Sequence, residues 1–426
     1  MKPIQMLAAV ASAALLASVS ACGSGGSSST GGSAGGAAGG STGGSVNIGV
    51  STSLTGSIAS FSQSGMQGIQ LAVSDLNAGG GILGKKVKVV SADDNLTPAT
   101  GASNMRSMIT NDHVVAMFGP VASSIASAEE QLAAQYKVPI FFHMANDSSL
   151  MTKTFTPYAF QIVPNTVMEP RAVADYLAQK IKKGKPITVG TFAPDYSFGH
   201  DTVSGFLKAL DDLHVNYKVV KQEFPPLAAT NIGSYLSALV AAKPDYVFNA
   251  QYGGDLDAFT KQAESYGFFK HTTVIGMYGY LDMKALGSQS PAGAIGFDRA
   301  PFWAIKNPQM ATFVKNYKAK YGDYPSTWAT LGYAAVQQWA WGTKKAGSFD
   351  GTKLTKVLPG TTPPTILGKL QIRACDHQTE TPEYVGTISK TGNSKYNGVH
   401  LFDDPMFKAP FDQIALTCAQ VKALQP

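Results

Sequence analysis

The stretch NAGGGILGKK, residues 77–86, decides how the rest of the chain is read. A glycine-rich run ending in lysine cradles phosphate when a strand precedes it and a helix follows, because the loop amides then converge at a helix N-terminus. Here the order is reversed. Upstream, residues 61–77 place Met66, Ile69, Val73 and Leu76 at helical spacing; downstream, KVKVVSA is a β-branched strand run. The glycines therefore cap a helix and turn the chain into a strand. The same alternation spreads outward on both sides. VNIGVST, HVVAMFG, VPIFFH, PITVGTF, VNYKVV, DYVFNA and TTVIGM read as strands. Between them, helical patterns open at Thr97-Pro98 and cover 124–136, 169–182, 200–213, 232–242 and 256–266. Apolar strands alternating with helices imply parallel sheets covered on both faces, and the rhythm is too long for one sheet, so two doubly wound α/β lobes are expected.

Composition excludes several classes. Of 426 residues, 44% are hydrophobic and 15% charged, which suits a large folded body and not a disordered chain. The net charge of +6 is spread along the sequence, with no basic block of the kind that binds nucleic acid.

The N-terminus reads as an address. Lys2 precedes an apolar run, residues 6–19, too short for a permanent membrane span. It ends in VSAC, which resembles a bacterial lipobox; that resemblance implies signal removal (1–21) and lipidation of Cys22, whereas an ordinary secretory signal would leave the cysteine incidental. Residues 22–45, almost wholly Gly, Ser, Ala and Thr, form a flexible linker with a reach of about 25 Å. The expected protein is exported, periplasmic or at the cell surface, and tethered to a membrane by its lipid. Cys375 and Cys418 remain as an even pair in an oxidising compartment, either bridged or as two buried thiols; a disulfide is expected.

IGVSTSLTGSIASF, GIQLAVSDLNAGGGILGKKVKVVSADDN, MFGPVASSIA, DYSFG, DYVFNAQY, LGYAAVQQWA and the tail phrase RACDHQ occur in that order. Together they resemble the branched-chain amino-acid (Leu/Ile/Val-type) periplasmic binding proteins that serve ABC importers, over nearly the whole chain after Ser45. The resemblance implies a type I fold: two α/β lobes, 46–164 plus 292–367 and 165–291 plus 368–426, joined by three hinge crossings. It also implies a monomer that traps a small ligand between lobes for a permease, most simply a branched-chain or other apolar amino acid, with no cofactor. A small organic acid or amide, or a role as a sensor subunit, is the alternative.

Ligands of open α/β sheets sit beyond the carboxyl ends of strands. Those ends offer Phe61 as an apolar wall, Ser123 and Ser124 leading into a helix whose free amides suit a carboxylate, and Asn146 where the family commonly has threonine. Phe198 and Tyr252 match rings that close over the ligand. The sequence departs from the family at Tyr278, where an acidic residue commonly meets the ligand's ammonium; Asp255 is the nearby substitute. No HExxH, GxSxG or metal-spaced cluster supports an enzyme or a metal site.

Overall fold

The computed structural model describes residues 43–181, 185–403 and 405–426. The expected signal peptide, Cys22 and the linker up to Thr42 lie outside the described residues, while Ser45, expected to end the linker, already opens the first strand.

The first lobe is built on a parallel sheet of β1 (Ser45–Thr52), β2 (Lys86–Asp93), β3 (Met117–Phe118), β4 (Ile140–Phe142) and β5 (Ala159–Gln161), in the spatial order β2-β1-β3-β4-β5. Its crossovers are α1 (Ala59–Ala78), α2 (Pro98–Thr110) and α3 (Ser123–Tyr136). The glycine-rich stretch is the turn from α1 into β2. Gly80, Gly81 and Gly84 all have positive φ, and a Cβ on Gly81 would lie 2.1 Å from the Lys85 carbonyl.

The chain then enters the second lobe through α4 (Met168–Lys180), β6 (Ile187–Phe192), α5 (Ser197–Asp212), β7 (Tyr217–Glu223), α6 (Gly233–Ala242) and β8 (Tyr246–Asn249). It continues with α7 (Gly254–Ser265), β9 (Thr273–Gly276), α8 (Tyr280–Leu286) and β10 (Ile295–Asp298). It returns to the first lobe as α9 (Pro308–Tyr321), α10 (Thr327–Ala346), α11 (Gly351–Val357) and the hairpin β11 (Pro364–Thr365) and β12 (Gly368–Lys369). A last passage gives β13 (Glu383–Thr387), β14 (Phe407–Ala409), α12 (Phe411–Ile414) and α13 (Cys418–Leu424).

The second sheet runs β7-β6-β8-β9-β10-β13-β14. Its first five members repeat the order of the first sheet, but β13 and β14 are antiparallel additions at the edge, so the sheet is mixed where uniform parallel pairing was expected. The lobe boundaries move as well. β10 belongs to the second sheet, so the chain returns after Asp298 and not at 292. Residues following 368 stay with the first lobe: Gln161 N–H donates to the His377 carbonyl (3.2 Å), and Thr379 N–H donates to Gln161 (2.8 Å). The third crossing therefore falls just before β13.

In the first lobe, α1 and α10 touch backbone to backbone. A Cβ on Gly68 would lie 2.0 Å from the Ala329 carbonyl, and one on Gly332 would lie 2.7 Å from the Gly65 carbonyl. This contact carries the start of α10 to the mouth of the cleft. His143, a strand-end histidine, is spent beneath the same helices, and burial pushes its pKa down to about 4.

The tail phrase RACDHQ acts as a clamp on the hinge. His377 stacks on Phe160 with ring centroids 4.6 Å apart, and Gln378 Nε2 donates to the Val163 carbonyl at 2.9 Å. After β14 and α12 the chain passes back from the second lobe to this clamp. Arg373 donates to the Leu416 carbonyl (2.6 Å), Cys375 is bonded to Cys418 (Cα–Cα 5.8 Å), and Gln425 donates to the Cys375 carbonyl (2.9 Å). The C-terminal segment, expected wholly in the second lobe, thus ends as a strap on the first. The disulfide spans 43 positions of sequence, and Cys375→Ser should lower stability by about 2–4 kcal/mol through the looser unfolded chain. Urea titration of oxidised wild type against the variant measures this; equal midpoints would show the strap to be energetically idle.

Candidate functional site

The two sheets face each other with the carboxyl ends of their strands, each at the point where strand order reverses. The lobes are closed: Gly254 N–H of α7 donates to the Ser57 carbonyl of the β1–α1 loop (3.2 Å), and Ser148 of the first lobe donates to Asp201 of α5 (2.9 Å). Between them lies a small cavity.

The first lobe supplies Val121, Ser123, Met144 and Asn146. Ser123 opens α3, whose N-cap is Ala122 with no side-chain cap; among the described residues the amides of Ser123 and Ser124 have no acceptor. They form a donor cluster at the positive end of a helix. The Ser123 hydroxyl accepts from Asp147 N–H at 3.3 Å and keeps its proton for another acceptor. Trp328 enters from α10, where Ser326 caps the helix by accepting from Trp328 and Ala329 N–H and is itself fixed by Ser64 at 2.6 Å.

The second lobe supplies Tyr196, Phe198, Tyr252, Met277 and, just past β10, Arg299. Gly199 permits the tight turn that projects Tyr196 and Phe198, since a Cβ there would lie 1.9 Å from the Pro194 carbonyl. Phe198 meets Tyr252 edge to face, centroids 5.7 Å apart. The Tyr196 and Tyr252 hydroxyls share one hydrogen bond of 2.9 Å, and burial raises both phenols, keeping them protonated.

Arg299 is the centre of the site's electrostatics. Its side chain is 2% exposed and lies over the Trp328 ring at 4.9 Å. It is paired with Glu169 through Nε and Nη2 and donates from Nη1 to the Met144 carbonyl at 2.9 Å. Glu169 also accepts from Asn146 Nδ2 at 2.7 Å. Burial raises the Glu169 carboxyl, and the guanidinium beside it pulls it back. Glu383, buried next to this pair, is pushed well above the usual carboxylate range by burial and then by Glu169. Glu169, Arg299 and Glu383 each stand beside a different hinge crossing, so the network ties the three strands of the hinge together.

Of the residues expected on the ligand, Ser123, Asn146, Phe198 and Tyr252 line the cavity together. Phe61 stands behind it, fully buried against Trp328 (4.9 Å) and Tyr252 (6.3 Å). Ser124 is exposed on the outer face of α3, so only its backbone is placed to contribute. Asp255 is turned away to accept from Ala228 N–H at 2.7 Å, which fixes the loop before α6. Tyr278 is also displaced. With no Cβ on Gly276, its ring folds back over that residue into the core, where it bonds Thr260 at 3.1 Å. Side chains alternate along the strand exit, so Met277 takes the cavity side.

Sequence reasoning missed Arg299, Trp328, Tyr196, Met144 and Met277. Arg299 had a signal: it directly follows a strand in GFDRA, but a lobe boundary set at 292 hid it.

The comparisons with known proteins agree with this geometry. A family model described as periplasmic binding protein matches residues 45–393. A Brucella abortus protein named Leu/Ile/Val-binding protein homolog 8 is 28% identical over 291 residues, 65% of this chain and 70% of that protein. A periplasmic binding protein from Burkholderia mallei superposes with a TM-score of 0.80 at 23% identity, covering 89% of this chain and 98% of its own. A solute-binding protein of an ABC transporter from Rhodopseudomonas palustris, solved with 3,4-dihydroxy benzoic acid, gives a TM-score of 0.76 at 24% identity, covering 86% and 98%. At these identities the structural matches establish the type I fold.

Proposed function

The chain belongs to the periplasmic binding protein family, and on that basis we propose that it captures a small carboxylate-bearing solute between its lobes and delivers it to an ABC importer. The observation that carries this reading is the placement of the uncapped α3 start, the Ser123 hydroxyl and the Arg299 guanidinium around one cavity between the lobes. All three are donors, and two of them bring positive charge. The ligands named for similar proteins, a benzoic acid in one and branched-chain amino acids in another, share a carboxylate on an apolar body. The family is one of solute-binding proteins; the cavity serves capture and not turnover.

The ligand would meet Ser123 and Asn146 on the first lobe and be covered by Phe198 and Tyr252 on the second. Closure shifts only by the ligand's preference for the closed form, and that form is what a permease would recognise. Lipidation of Cys22 and a linker tether would hold the body near its importer.

Ser123→Ala should weaken binding about ten-fold, since one hydrogen bond to a charged group is worth about 1.5 kcal/mol or more. Calorimetry with a ligand found by thermal-shift screening of small acids and amino acids checks it, with circular dichroism to show an intact fold. Unchanged affinity would place the carboxylate elsewhere.

A further inference from the structure

We propose that the solute is an aromatic monocarboxylate without an ammonium group, its carboxylate held by the guanidinium of Arg299. This rests on the carboxylate-capture reading above and narrows it. A guanidinium has five N–H groups in one plane. Glu169 takes one from Nε and one from Nη2, and the Met144 carbonyl takes one from Nη1. One N–H on each Nη has no acceptor among the described residues, and Arg299 lines the cavity. Two donors on adjacent nitrogens match the two oxygens of a carboxylate.

The charge inventory disfavours a zwitterion. Arg299 is the charged residue of the lining, and among the described residues no carboxylate reaches the cavity. Glu169 lies behind the guanidinium, engaged with it and with Asn146. Glu383 is buried and does not line the cavity. An ammonium would therefore lose its water and meet a cation with no counter-charge, a strong discrimination against amino acids.

The walls select the body of the ligand. Tyr196, Phe198, Tyr252 and Trp328 offer ring faces and edges, and the thioethers of Met144 and Met277 complete the lining with polarisable contacts suited to a ring. The phenol pair has two protons and one mutual hydrogen bond, which leaves one O–H for a ligand oxygen. The Asn146 Oδ1 has no donor among the described residues, so a ring hydroxyl would find an acceptor there.

The test is calorimetry on the whole exported chain with benzoate, benzamide, leucine and phenylalanine. Benzoate should bind at least about a hundred-fold more tightly than either amino acid and than benzamide. The double variant Arg299→Met/Glu169→Gln removes both charges while nearly keeping volume, so no orphan charge is left. It should lose at least about thirty-fold in benzoate affinity and clearly less in benzamide affinity. Tighter binding of leucine than benzoate would overturn the aromatic-acid assignment and leave carboxylate capture standing. Benzoate affinity that survives the double variant would overturn Arg299 as the anchor. Failure of every carboxylate to bind would overturn both this inference and the reading beneath it.

Discussion

Replacing Arg299 with methionine is expected to lower folding stability by about 3–5 kcal/mol, the usual cost of removing one member of a buried ion pair. The loss would leave Glu169 with Asn146 as its remaining side-chain donor, and Glu383, whose carboxyl oxygens have no partner among the described residues, without its nearby cation. Both carboxyls already stand above their ordinary pKa because of burial, and losing the guanidinium raises them further. A group whose folded pKa exceeds its unfolded value favours folding below the unfolded pKa and loses that contribution as pH rises through the folded one. The deficit should therefore be larger at pH 8 than at pH 5. Adding Glu169→Gln to the same chain should recover about 2 kcal/mol by removing the orphaned charge. Urea titrations of wild type, single and double variants at both pH values decide the matter. A deficit under about 1 kcal/mol at pH 8 would mean that the network contributes little to the hinge.

Tyr278→Glu is expected to be worse, with a loss on the order of 5 kcal/mol. The position invites the substitution, because an acidic residue there would restore the family's usual ammonium partner. The structure places the ring at 0% exposure in the core of the second lobe, with Asp257 and Asp282 near enough to raise its phenol further after burial. A carboxyl there would lose the ring's packing, find no cation, and join two acids already pushed upward, Asp257 to about 6. Tyr278→Phe keeps the ring and loses the bond to Thr260, so it should cost about 1 kcal/mol. Thermal melts of the two variants separate packing from charge. A stable glutamate variant with improved leucine binding would return Tyr278 to the site.

The lobes themselves were legible because α/β alternation is a local signal. Each apolar β-branched run became a strand, and the helix starts and ends fell close to their expected places; Thr97 caps α2 ahead of Pro98, as its sequence announced. The antiparallel edge was not legible. Glu383 opens β13 and Lys408 lies within β14, polar residues in short strands whose pairing is set by where the hinge returns them. In the site, residues marked by a helix start or a strand end were found, as with Ser123, Asn146, Phe198 and Tyr252. The choice between neighbours such as Met277 and Tyr278 turned on a one-residue alternation that Gly276 controls through space. Arg299 was hidden by the boundary at 292, and its role also depends on Glu169 and Trp328, which are distant in sequence and meet only when the lobes assemble.

The strap at the C-terminus has a practical consequence for optical sensing of transport substrates. Because residues 416–425 are fastened to the first lobe by the Arg373 bond, the Cys375 bridge and Gln425, a fluorophore joined at Pro426 would ride with that lobe although the preceding strand belongs to the other. A second dye on Lys218, exposed on the far edge strand of the second lobe, would complete a donor–acceptor pair. Energy transfer between them would follow solute capture in wild-type protein. After reduction only the Arg373 and Gln425 bonds would hold the dye to that lobe, so the optical signal should broaden.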